Sequence, residues 1–164
     1  MEHKPVSNRM YALVTLYDWH TQFYLNAIDG ISDEDALKRL DTKANHVAWI
    51  AGSALEERFE VAKLLGIEIE PSSHEFFANH KGIQEGVTYP SLTSYKADWE
   101  KISPLLREKL LTVTDEYLDK VIEYPEMSFP VYEMISFNTY REANCIGQIA
   151  LWRRLLNYPP IKYM

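Results

Sequence analysis

In the stretch NTYREANCIGQIALWRRLLN, residues 138–157, Arg141, Cys145 and Gln148 follow one another at intervals of four and three. Side chains at that spacing adjoin on one helix face. Met134, Trp152 and Leu155 continue the same stripe, so the spacing predicts that an arginine, a thiol and an amide point inward. A guanidinium cannot lose its proton, and burying it unpaired costs several kcal/mol. Arg141 is therefore expected either to reach water at a cavity or to meet a carboxylate. An arginine next to Cys145 would lower a thiol pKa from its usual value of about 8.5 and so favour the thiolate. Against a reactive thiol, Cys145 has no histidine beside it on its own helix to act as base. A lone buried cysteine commonly serves as a small apolar residue.

An earlier apolar helix adds further polar candidates. His46, Trp49, Ser53 and Glu57 lie between its two apolar stripes, with Glu57 one turn beyond Ser53. His46, His20 and Cys145 could together build a metal site. The favoured reading makes His46 a capping or interfacial residue and His20 a core-edge histidine with one satisfied nitrogen. Gly147 is expected to admit a neighbouring helix, and Gln148 to cross-link helices by hydrogen bonds. His74 and His80, six apart between helices, read as loop histidines, and Arg153 and Arg154 as a charged helix end.

Four long helices are expected to position these residues. The first runs between Ser7, a good N-cap, and Gly30, with Met10, Leu13, Tyr17, His20, Tyr24 and Ala27 at helical spacing. A short acidic connector follows Ser32. The second long helix covers about residues 43–65 and stops at Gly66. Residues 67–90 are punctuated by Pro71, Gly82, Gly86 and Pro90 and read as a long crossover, packed on the body by Phe76, Phe77 and Tyr89. The third helix, residues 91–113, carries Pro104, which is expected to kink or split it. A short segment capped by Thr114 and an irregular stretch lead to Pro130, and the fourth helix covers about residues 131–156. No convincing strand is expected. The pattern predicts an all-α fold, a four-helix bundle with a long crossover between the second and third long helices, in one domain spanning residues 1–164.

Composition narrows the partners. A net charge of -7 disfavours nucleic-acid phosphates, and no stretch approaches the roughly 20 apolar residues of a membrane span. One cysteine excludes an internal disulfide, and MEHKPVSNRMYALV lacks the apolar run of a secretory leader, so a cytoplasmic location is expected. The 11 tyrosines and 4 tryptophans suit half-buried surfaces or an interface.

Several stretches resemble one family. NHVAWIAGSALEERFEVAKLLG resembles a pattern of Trp, then Gly-His, a charged turn and Leu-Gly. YREANCIGQIALWRRLLNYPPIKYM resembles His-Glu-x-x-His-x-Gly-Gln-Ile followed by Arg-Arg and a closing Lys-Tyr, and YPSLTSYKADWEKIS resembles the stretch before the third helix. The family is the DinB-like (DNA-damage-inducible, YfiT-like) superfamily of four-helix bundles, and the resemblance covers nearly the whole chain. It implies a divalent metal held by three histidines, at positions that here carry Ser53, Arg141 and Cys145. It also implies relatives that are metal-dependent thiol transferases and isomerases, and homodimers formed through helix faces. Since none of the three positions is a histidine, the expectation is a remodelled, metal-free pocket at Ser53, Glu57, Arg141, Cys145, Gln148, His46 and Trp49. Arg141 is expected at the former metal position, paired with Glu57, a carboxylate that would otherwise face the cation, or solvated there, and able to clamp a small anion. No cofactor is expected, and zinc or nickel only if a non-standard site exists. The alternatives are a metal-dependent hydrolase or thiol transferase using such a site, and a structural or interaction homodimer without a ligand.

Overall fold

The computed structural model describes residues 4–163. The first three residues of the segment read for a leader, and Met164 of the closing motif, lie outside them. The described chain is mostly helical. Ser7 accepts a hydrogen bond from the Arg9 amide and starts a 3-10 turn, Asn8–Met10, which leads into α1, Tyr11–Ile28. Gly30, at φ +73°, takes the left-handed conformation that turns the chain out of the helix. The connector helix α2, Asp33–Ala36, is capped by Ser32.

The second long helix, α3, is Val47–Leu64 and starts four residues later than its apolar pattern suggests. The Arg39 guanidinium takes the carbonyls of Lys43 and Ala44, and the Trp152 indole takes that of Asn45. Those carbonyls are committed to side chains, so residues 43–45 stay outside the helix. His46 then caps it, its Nδ1 accepting from the Trp49 amide at 3.1 Å.

The crossover holds one helical turn, α4, His74–Phe77, and a 3-10 turn, Ala78–His80. Phe77 and Tyr89 are buried in the core. A Cβ on Gly52 of α3 would overlap the Phe77 ring and lie 2.7 Å from Tyr95 Oη, so glycine there lets the crossover seat against the helix.

The third long helix, α5, runs unbroken over Leu92–Thr112. Pro104 neither splits nor ends it. Its ring is exposed, and so is Glu100, whose carbonyl loses a backbone donor and is left to water. After α6, Asp115–Leu118, the irregular stretch contains a small hairpin: β1, Val121–Glu123, pairs antiparallel with β2, Ser128–Pro130, in the register Ile122–Phe129. The last helix, α7, is Val131–Leu155. Each of α1 and α3 packs against both α5 and α7. Tyr24 and Trp99 stack at the centre, 3.8 Å between ring centroids.

The buried stripe of α7 differs from the expected one. It comprises Val131, Ile135, Glu142, Cys145, Ile146, Ile149, Trp152 and Arg153, while Gln148 and Leu155 are exposed. The helix is turned so that Glu142, rather than Arg141, faces the interior. Arg153 is no solvated helix end. It donates to the carbonyls of Ala27 and Asp29 at the end of α1 and to that of Pro159, which ties α1 to the tail after α7. No helix among the described residues is long and apolar enough to cross a membrane.

Candidate functional site

Two adjacent residues of α3, Glu57 and Arg58, face two adjacent residues of α7, Arg141 and Glu142. Arg141 donates through Nη2 to Glu57 Oε1 at 2.8 Å and through Nε at 3.0 Å. The pair is partly exposed, 31% for the arginine side chain and 19% for the glutamate. Burial pushes the Glu57 carboxyl above its ordinary range, which the bonds from Arg141 only partly oppose. Those same bonds raise Arg141.

The second pair lies inside the fold. Arg58 donates from Nε and Nη2 to the two oxygens of Glu142, at 2.6 and 2.8 Å. Its Nη1 reaches Thr21 Oγ1 and Ser103 Oγ, each at 2.8 Å. The guanidinium also lies 3.5 Å from the Trp99 ring centroid and 4.2 Å from that of Tyr17. His20 Nδ1 stands 3.4 Å from Glu142 Oε2, within charge-pairing reach but outside hydrogen-bond geometry. Burial opposes ionisation of Glu142, yet the charge and hydrogen bonds of Arg58 prevail and hold the carboxyl below its ordinary value.

Of the residues singled out from the sequence, Trp49, Ser53, Glu57 and Arg141 line one lobe of about 150 Å³, together with Glu56, Glu60, Phe77, His80 and Lys81. The remaining three do not line it. His46 is the α3 cap, its ring edge-on to Tyr89 and its pKa lowered by burial. Cys145 is buried, as a small apolar residue would be, and burial pushes its thiol up to about 12 despite Arg141. Gln148 bonds to Asn144 on the same exposed face and crosses to no other helix. Gly147 has open space where a Cβ would stand, so no neighbouring helix depends on it.

The lobe adjoins two larger ones, and Glu60 and His80 line all three. One, of about 360 Å³, is walled by α3, the start of the crossover and α7, with Glu56, Phe59, Glu70, His74 and Met134 among its residues. The other, of about 530 Å³, lies under the hairpin, against Tyr124, Met127, Phe129, Phe137 and Met134. Both fall in the range of about 300–1,000 Å³ typical of ligand sites. His74 is more than a loop histidine. Its Nδ1 lies 2.6 Å from Glu56 Oε1 and ties the crossover to α3.

The donor set at the positions implied by the resemblance does not fit a divalent metal. A guanidinium has no lone pair to give, the serine is neutral, and the thiol holds its proton. His20, His46 and Cys145 do not replace that set, because no group of three His, Cys, Asp or Glu side chains among the described residues converges as metal ligands do.

The Arg58–Glu142 pair escaped the sequence reading, although a signal for it existed. The stripe Val47, Ile50, Ala54, Val61, Leu65 skips one turn, and Arg58 occupies the gap. The hairpin wall had no such signal, since Met127 and Phe129 sit in a segment without periodicity. No protein-family model and no curated protein matches this chain.

Proposed function

We propose that the chain is a DinB-like four-helix bundle that has given up metal binding and takes a small molecule in the cleft between α3 and α7. The packing of α1 and α3 each against α5 and α7 supports the bundle reading, as does the long crossover between the second and third long helices. The chemistry of Ser53, Arg141 and Cys145 supports metal independence. The observation that carries the ligand reading is the Arg141–Glu57 pair, which stands in the wall of the smallest lobe, with Glu57 also lining the lobe under the hairpin. Nε and Nη2 of Arg141 converge on Glu57 Oε1, and with about a third of the arginine side chain exposed the pair offers a ligand both a donor and an acceptor.

A small anion held by Arg141 is the second reading. Glu57 occupies Nε and Nη2, and an anion would approach from the exposed side of the guanidinium. Exposed Tyr140, Leu151 and Leu155, at helical spacing along α7, support a homodimer, which light scattering would detect as twice the chain mass.

The test has two arms. Protein made without a histidine tag and then dialysed is expected to retain zinc, nickel and manganese well below one equivalent by plasma mass spectrometry. A fragment screen by NMR on labelled protein is expected to give ligands that shift the amides of Trp49, Ser53 and Glu60 together. A full equivalent of retained metal overturns metal independence, and shifts confined to other surfaces overturn the cleft.

A further inference from the structure

Resting on the reading of the cleft as a ligand site, we propose that its ligand is an amphipathic cation, an ammonium head carried on an apolar body.

The head group follows from Glu56. This residue lines both the 360 Å³ and the 150 Å³ lobes, and its side chain is only 8% exposed. One of its carboxylate oxygens meets His74. The other, Oε2, is buried and has no hydrogen-bond partner among the described residues. A buried acceptor without a donor is costly, and a ligand N–H placed there would remove the cost. The surroundings set the sign of that donor. Glu60 stands one turn on and lines every lobe, and Glu70 and Glu133 each line one of the two larger lobes. The fixed cations of the cleft are Lys63, Lys81 and Arg141, and Glu57 already engages Arg141. The carboxylates are in surplus, as they are in the chain as a whole at a net charge of -7.

The body follows from the hairpin lobe. Met127, Phe129, Phe137 and Met134 give an apolar wall beside Glu60, and Tyr124 lines both large lobes. Aromatic faces next to carboxylates suit an organic cation better than a hydrated inorganic one. An apolar chain laid along this wall would also cover Met127 and Phe137, each 55% exposed.

Three probes of equal chain length separate the possibilities: octylammonium, octanol and octanoate, each titrated calorimetrically into the full chain below its micelle concentration at neutral pH. Octylammonium is expected to bind tenfold or more tightly than octanol, the scale of one charge-assisted hydrogen bond, and octanoate more weakly than octanol. Added salt should weaken the ammonium alone. Glu56→Gln, which keeps an acceptor for His74, should bring octylammonium to the level of octanol and leave octanol unchanged. If that variant does not fold, Glu60→Gln at an exposed position reads the same loss. Equal binding of the three probes would show an apolar cleft and overturn the inference while leaving the cleft a ligand site. Tightest binding by octanoate would overturn it in favour of the anion held by Arg141. Binding by none would overturn both the inference and the reading on which it rests.

Discussion

The two arginine–glutamate pairs between α3 and α7 have the same chemistry and opposite polarity along the chain, yet one is buried inside the fold and the other opens on the cleft. Arg58 is fully buried and meets Glu142, Thr21 and Ser103 by hydrogen bonds and two aromatic rings by their faces. Arg141 has Glu57 and the cleft. Glu142 is held below the ordinary carboxylate range and Glu57 above it. Both are desolvated, and what separates them is the support around the guanidinium. Where the arginine is locked by several partners, its charge overcomes the desolvation of the carboxylate. Where it has one partner and a share of water, desolvation prevails. The inner pair ties α3 to α7 inside the fold, and the outer pair ties them where solvent reaches it.

The largest test of this contrast is to break the inner pair. Arg58→Met should cost about 3–5 kcal/mol in chemical denaturation, because Glu142 would remain buried without its cation. Glu142→Leu should cost a similar amount, and the double variant Arg58→Met, Glu142→Leu should recover most of the loss. Additive losses in the double variant would break the idea that the two residues act as a unit.

Removal of the outer arginine is expected to matter far less. Arg141→Ala should lower stability by no more than about 1 kcal/mol, since the pair is partly exposed and water can reach Glu57 in its place. A loss equal to that of Arg58→Met would erase the distinction between the pairs.

The smallest effect is in pH dependence, where the two glutamates carry opposite signs. Glu142, lowered in the fold, contributes stability that is fully present above the ordinary carboxylate pKa and is lost as pH falls through its lower folded value. Glu57, raised in the fold, contributes stability present below the ordinary value and lost as pH rises through its raised one. Denaturation midpoints followed from neutral to acid pH should therefore fall less steeply in Glu142→Gln than in the unaltered chain, and more steeply in Glu57→Gln. Slopes that move in the same direction would show that the two carboxylates do not differ in environment.

What the sequence by itself determined is local and periodic. Ser7, Ser32, Ser91 and Thr114 start their helices because a hydroxyl can accept from a free backbone amide nearby, whatever the rest of the chain does. The long helices follow from apolar residues at three and four, and the need of Arg141 for a carboxylate or water follows from the cost of burying a guanidinium alone. What the tertiary structure decided is everything that depends on a partner distant in the chain. The start of α3 waits on Arg39 and Trp152, which take the carbonyls a longer helix would have used. The turn of α7 about its axis brings Glu142 inward and leaves Gln148 in water, because Arg58 on another helix needs a carboxylate. The cleft itself exists because the crossover and the hairpin fold over the same edge of α3 and α7, bringing Glu56, His74, Tyr124 and Met134 together across nearly half the chain. Spacing fixes which residues share a face; only packing fixes which face meets which.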